Sequence, residues 1–330
     1  MSGEVPASHP FDALSAKGFD IKFLSHAKSI LSGEFPEALI EIGEALNAIE
    51  LPITEIIGSG GGETKFTQRL RRSLAAKGWK KHVFEIAKTI DGVPRESTSH
   101  EVDHVKAYPG VGVIAMEIEW NNKDPFFDRD LENFKRLHAE GAISIGVLIT
   151  RGSSLQDVLM QAVGRFARDR KIGSFDDLAR NGYVPTPKQR SNVLRRVERS
   201  RDPVEFADAW TANFVANKFG QATTHWAKLL HRIDRGVGNP CPLLLIGLPA
   251  SMITFDAATI EQLSEDDVKS DETRGEDSAG DDSRSDEASA DESHVDDARI
   301  EVAPADEAHP DETHTAADRT NEWRSGDLFA

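Results

Sequence analysis

Cysteine is all but absent from this chain: Cys241 is the one thiol among 330 residues. One thiol makes no intrachain disulfide and no cysteine metal cluster. Long apolar runs are missing too, since none approaches the ~20 residues that a membrane helix needs. The opening MSGEVPASHP lacks the charged-then-apolar layout of a signal peptide. These absences lead to the expectation of a soluble, cytoplasmic protein with no membrane partner. The glycine-rich segment at 58–62 (GSGGG) fails two familiar motifs. Glu63 stands where a dinucleotide fingerprint needs its third glycine, and the order Glu-Thr-Lys replaces the Gly-Lys-Ser/Thr of a phosphate loop. It reads as a turn before a helix.

Charge is unevenly spread. The net charge is −17, from 56 acidic and 39 basic residues. Residues 257–330 hold 24 of the acids and 6 of the bases, so residues 1–256 keep 32 acids and 33 bases and are close to neutral. A polyanionic ligand is therefore compatible with the body of the protein. The chain divides into a folded domain at 1–256 and an acidic tail at 257–330. The tail is rich in Asp, Glu, Ser, Ala and Thr, a disordered composition. Asp-Glu pairs recur in it at 271, 286, 291, 306 and 311, with no apolar position repeating to form a core.

Within the domain, Leu39, Ile42, Leu46 and Ile49 predict a helix over 34–50, and Phe66, Leu70 and Leu74 another over roughly 64–77. Short strands are expected at 82–90 and 98–106, followed by a turn at Pro109-Gly110. VGVIAMEIEW at 111–120 reads as a buried central strand. A helix at 127–140 presents Phe127, Leu131, Phe134 and His138, and ISIGVLI at 143–149 is a second buried strand. Strand, helix, strand implies a parallel crossover, hence an α/β fold with a mixed sheet flanked by helices. A further helix at 222–233 and strand at 242–248 follow.

The central strand also carries chemistry. Glu117 and Glu119 are two apart and so share a face. Two carboxylates at the end of a buried strand are costly unless compensated, and a hard cation would compensate them. Asp103 can approach across the Pro-Gly turn. The alternative is a strand end that simply reaches water. Arg151, just past the neighbouring strand, suits either a phosphate oxygen or Glu119. His100 and His104 spell the H-E-x-x-H of zinc proteases, a motif that requires a helix, whereas a turn and a strand follow here. Residues 165–201 carry 11 Lys and Arg against 4 Asp and Glu. Basic residues of this kind supply phosphate affinity, while a few side chains read bases. Gln189, Arg190, Asn192, Asn217, Gln221 and Thr223 are candidate readers; the alternative is a solvated loop and helix face.

Asp103, MEIEW at 116–120, NNKDPFFDRDL at 121–131 and IGVLITRG at 145–152 together resemble the BglII-type (BglII/BamHI-like) type II restriction endonucleases, of the PD-(D/E)xK nuclease fold. GSGGGETKFTQRLRRSL at 58–74 and KFGQATTHWAKLL at 218–230 extend the likeness over roughly residues 35–250. The usual lysine of the final motif is Glu119 here, giving E-x-E as in the BamHI arrangement. The resemblance implies Mg²⁺-dependent, sequence-specific hydrolysis of double-stranded DNA to 5′-phosphate and 3′-hydroxyl ends. Mn²⁺ would substitute for Mg²⁺. Asp103, Glu117 and the Ile118 carbonyl would hold the metal, and Glu119 would orient or deprotonate water. Glu63 is either an additional acid near the metal or a helix N-terminal acid. Lys123 is a second cationic candidate, or a surface lysine. A homodimer on a palindrome and a cognate DNA methyltransferase encoded nearby are the expected partners. A repair or junction nuclease of the same fold, and a DNA-binding protein with a dead site, are the rival readings.

Overall fold

The computed structural model of the protein describes residues 11–58 and 63–255. The expected tail at 257–330 and most of the 58–62 glycine segment lie outside them. In chain order the elements are α1 (Asp12–Ala16), β1 (Asp20–Leu24), α2 (Ala27–Glu34), α3 (Pro36–Asn47), β2 (Leu51–Pro52), α4 (Ile53–Ile57) and α5 (Lys65–Ala76). Then come β3 (Lys80–Ile90), β4 (Val93–Tyr108), β5 (Gly112–Glu119), α6 (Phe126–Ala139), β6 (Ile145–Arg151) and α7 (Ser153–Asp169). The remainder are α8 (Phe175–Arg180), α9 (Pro187–Val197), α10 (Phe206–Lys218), α11 (Trp226–Asp234), β7 (Leu243–Leu248) and β8 (Ile253–Thr254).

Six strands form one mixed sheet in the order β1-β7-β6-β5-β4-β3. β5, β6 and β7 are parallel, as the crossover through α6 requires. β1 closes one edge antiparallel to β7, and the β3–β4 hairpin closes the other. β2 and β8 make a separate short parallel pair. The strands of the parallel centre are buried on both faces, which is why they read as continuous apolar runs rather than alternating ones. The hairpin is longer than the sequence suggests. Its polar, alternating residues give β3 two exposed faces, and such strands leave no sharp hydrophobic boundary.

Two cores sandwich the sheet. Ile114 and Met116 of β5 face α3, α5 and α7, together with Phe66, Leu70 and Val163. Ala115 faces α6 and α11, with Phe127, Leu131, Phe134 and Trp226. α6 lies very close to the sheet: a Cβ on Gly146 of β6 would stand 2.6 Å from the Phe134 ring. The buried stripe of α6 is Phe127, Asp130, Leu131, Phe134 and Leu137. His138, expected in that stripe, stands four residues after Phe134 at its half-buried end, with Nδ1 3.1 Å from the Ile143 carbonyl oxygen.

Candidate active site

The parallel strands β5 and β6 end together. Glu117 pairs with Leu148 and Glu119 with Thr150, and Thr150 Oγ1 donates to the Glu119 carbonyl oxygen at 2.8 Å. Carboxyl ends of parallel strands are where open α/β sheets bind ligands. Glu117 and Glu119 lie on the Ala115 face, against α6, and both are buried. Beyond His104–Met116 the β4–β5 ladder stops. One step further, the Asp103 backbone N–H donates to Glu117 Oε1 at 3.4 Å. Asp103 is itself exposed, so Asp103 and Glu117 meet at a rim where the buried strand opens to solvent. Ile118, partly buried, sits between the two glutamates.

A further acid joins them from α6. Asp130 is buried, and its Oδ2 has no donor. Glu119 lies beside it, and two carboxyls in contact are satisfied together only when one carries a proton. Desolvation pushes both of them above the carboxylate range, and their mutual repulsion raises Glu119 further. Glu117 is pushed up to about 9, first by burial and then by the charges of Asp130 and Asp103. Two groups restrain the cluster. Asn122 Nδ2 donates to Glu119 Oε2 at 2.7 Å. Arg129 Nη2 lies 2.8 Å from Asp130 Oδ1 and 3.6 Å from Glu119 Oε1.

This surplus of buried acid makes stability depend on pH. Glu117 rises from 4.5 to about 9 on folding, so the folded state holds its proton over a range where the unfolded state has lost it. Stability contributed by that proton is complete below pH 4.5 and is lost as pH rises toward 9. His104, lowered by burial from 6.5, and Lys218, lowered by burial to about 8, act in the opposite sense outside pH 6.5–8. Between those values Glu117 alone is expected to cost the metal-free protein up to about 2 kcal/mol, several degrees of melting temperature, and Glu119, raised to about 8, adds to the same slope. Glu117→Gln should reduce that slope and leave the part due to Glu119. Equal slopes in the two proteins would refute the assignment of the proton to Glu117.

The other sequence candidates fall into different places. Arg151 is fully buried and touches neither Glu119 nor solvent. Its Nη1 donates to the Trp120 carbonyl oxygen at 3.1 Å and to Asn121 Oδ1, its Nη2 to Thr223 Oγ1 at 2.8 Å, and its Nε to Gln156 Oε1 at 3.2 Å. The Phe219 ring covers it at 4.9 Å. Burial pushes the guanidinium down to about 9, which leaves it charged at neutral pH. Sealed in this way, it reaches no phosphate, and the two roles weighed for it give way to that of a joint.

Glu63 precedes the Thr64 cap of α5 and pairs with Arg71 at 3.3 Å. That helix packs on the Met116 face of β5, opposite the face of Glu117. Gln189 is held in a capping box with Thr186 at the start of α9. Arg190 stacks on Phe175, 4.4 Å from the ring centroid. Asn192 is partly buried in α9, Asn217 Nδ2 donates to the Asn213 carbonyl oxygen at 2.6 Å, and Gln221 is exposed. Lys123 is exposed and bridges Thr223 through the backbone. The residues thus separate into a carboxylate cluster with its adjoining 121–124 loop and a basic helical region around α9 and α10. His100 and His104 lie on strand β4. Residues four apart on a strand are about 13 Å apart, so they form no shared metal site, and the zinc-protease reading is withdrawn.

Sequence reasoning missed Asp130, Asn122 and Lys218. Lys218 Nζ donates to the carbonyl oxygens of Ile56 and Gly58 at 2.9 and 2.6 Å, anchoring the start of the glycine segment. Among the described residues, no three His, Cys, Asp or Glu side chains already form a metal-ligand set. The donor chemistry nevertheless fits a hard divalent cation: buried carboxylate oxygens, a surplus of negative charge and the orphaned Asp130 Oδ2.

Comparison with known proteins adds one positive finding. The model of the family described as "Restriction endonuclease BglII/BglIII" matches residues 19–248, well over half of the chain and all six strands of the main sheet. No curated protein sequence matches.

Proposed function

The chain belongs to the BglII/BglIII restriction endonuclease family and is a type II, sequence-specific DNA endonuclease, a hydrolase; from that premise we propose how its residues perform the cleavage. The observation that carries the proposal is the carboxylate cluster at the open end of β5. Asp103 and Glu117, with the Ile118 carbonyl, hold Mg²⁺, for which Mn²⁺ substitutes. When bound, the ion offsets the charge of the scissile phosphate and of its transition state.

Glu119 orients the attacking water and takes its proton. Burial has raised its pKa, which makes it a stronger base once ionised. Asn122 fixes the direction of its carboxylate. Asp130 and Arg129 hold it from the other side. In-line attack leaves a 5′-phosphate and a 3′-hydroxyl. The exposed cations of α9 and its flanks, Arg190, Arg195 and Arg196 among them, bind the DNA backbone. Asn192, Asn217, Gln221 and Thr223, with Gln189, lie in the region that reads bases. The enzyme acts in the cytoplasm as a homodimer on a palindromic site, beside a methyltransferase that protects the host sequence.

The test is digestion of unmethylated DNA of known sequence with Mg²⁺, followed by mapping of the ends. Discrete fragments with one recurring sequence at every cut are expected. Ends scattered without sequence preference would favour a repair nuclease of the same fold, and intact DNA would refute the catalytic reading.

A further inference from the structure

The first turn of α6 brings a cation to the carboxylates from the face on which they lie. Glu117 and Glu119 stand on the Ala115 face of β5, and α6 packs on that same face. Arg129 of α6 neighbours the buried Asp130, and its Nε donates to Asp130 Oδ1 at 2.8 Å. Its Nη2 lies 2.8 Å from the same oxygen and 3.6 Å from Glu119 Oε1. The guanidinium carbon lies 4.3 Å from the centre of the Phe126 ring. A charge-assisted contact to a buried carboxylate, with a ring against one face, fixes the group where it stands. The side chain nevertheless remains 54% exposed, and Nη1 makes no hydrogen bond among the described residues.

Asp103, Glu117, Glu119 and Asp130 gather at the end of β5. A phosphodiester approaching them meets like charge beyond what one divalent ion offsets. Arg151 is sealed in the interior and touches none of the four. Arg129 touches two. One of these, Glu119, is the base of the cleavage reading. A phosphorus atom attacked by water held on Glu119 comes within about 3–3.5 Å of that water. Its non-bridging oxygens then fall within reach of a guanidinium beside the same carboxylate. A planar fork of five donors can keep Asp130 on one edge and take a phosphate oxygen on another.

Resting on the cleavage reading above, we propose that Arg129 is a catalytic residue: its Nη1 edge contacts a non-bridging oxygen of the scissile phosphate while Nε and Nη2 stay on Asp130. In the reaction a water oxygen bonds to phosphorus and loses its proton to Glu119. The bond from phosphorus to the 3′ oxygen breaks, and that oxygen takes a proton from solvent. Negative charge gathers on the non-bridging oxygens as the water attacks, and a guanidinium already fixed there stabilises the transition state more than the ground state.

The test compares wild type with Arg129→Gln and Arg129→Lys, using duplex DNA carrying the mapped site. Thermal melts establish that each variant folds. Single-turnover cleavage is measured with saturating enzyme and Mg²⁺. Arg129→Gln is expected to slow cleavage at least about a hundredfold. Arg129→Lys keeps the charge but cannot hold Asp130 and a phosphate together, and should lie between the two, about tenfold or more below wild type. A second duplex carries a neutral methylphosphonate at the scissile position, and its affinity is compared with that of the ordinary duplex without divalent ions. Wild type should favour the charged phosphate over the methylphosphonate by about fivefold more than Arg129→Gln does, the coupling expected of groups in contact. Cleavage within threefold of wild type in Arg129→Gln, or in Arg129→Lys where the first variant does not fold, would overturn the proposal and leave the cleavage reading intact. So would a slow Arg129→Gln enzyme with no such difference on the methylphosphonate, since Arg129 would then act through Glu119 alone. A wild-type protein that cuts nothing would remove the cleavage reading, and the role of Arg129 with it.

Discussion

Glu117→Ala and Asp103→Ala are each expected to reduce cleavage by roughly a hundredfold to a thousandfold or more, as removal of one electrostatic stabiliser does, with DNA affinity largely kept. Both side chains stand at the end of the β4–β5 ladder, where the Asp103 N–H meets Glu117 Oε1, and the basic face of α9 belongs to a different part of the fold. Glu117→Ala has a second, opposite signature. The wild-type carboxyl is buried among like charges, so its removal relieves a cost that the fold bears for function. The metal-free variant should melt at least as high as wild type at pH 8. Single-turnover rates, binding isotherms and thermal melts check the three parts. Cleavage within tenfold of wild type in either variant would remove both residues from the active centre.

The second large effect concerns stability. Arg151→Met keeps the bulk of the side chain but removes donors to the Trp120 carbonyl, Asn121, Gln156 and Thr223. Buried acceptors left without donors cost about 1–3 kcal/mol each when no water reaches them. A loss of roughly 3–5 kcal/mol is expected, of the order seen when one member of a buried charged network is deleted. For a domain of this size that is about 10 °C in melting temperature. Arg151→Lys should recover little, because one ammonium cannot span the four acceptors that the guanidinium fork reaches. Calorimetry or circular dichroism at fixed pH is the measurement, and a shift below 2 °C in Arg151→Met would contradict the role of a joint.

The parallel centre of the sheet was legible because burial on both faces writes uninterrupted apolar runs, as in ITR-terminated β6 and LLLIGL of β7. Glu117 and Glu119 stood out because they interrupt such a run. Asp130 did not, although a signal existed. It lies three residues after Phe127 and four before Phe134, squarely on the buried stripe of α6. An acid at that position reads as a break in the pattern until the facing strand is known to end in carboxylates. Arg151 was misjudged because an arginine after a strand looks exposed in one dimension. Its burial depends on Phe219 and Thr223, about seventy residues away. β1, a five-residue strand with a mixed pattern, carries too few positions to declare itself. The length of the β3–β4 hairpin depends on pairing rather than burial. The basic stretch at 165–201 carried no sign of its local geometry: Gln189, for instance, serves the cap of α9.

The short pairing between the 121–124 loop and the 222–224 segment has a practical corollary for protein engineering. Thr224 N–H donates to the Asn122 carbonyl oxygen at 2.9 Å, Asn122 N–H to Thr224 Oγ1 at 3.1 Å, and Asp124 N–H to the Ala222 carbonyl oxygen at 3.0 Å. Asn122 is also the residue that holds Glu119. The two segments are one hydrogen-bonded unit cut from distant parts of the gene. A chimera that imports residues 218–226 from a relative while keeping the native 121–124 would inherit mismatched halves of that unit and misplace its own Glu119. Exchanges of specificity in this scaffold have to move both pieces together, so the modular block for redesign is discontinuous in sequence.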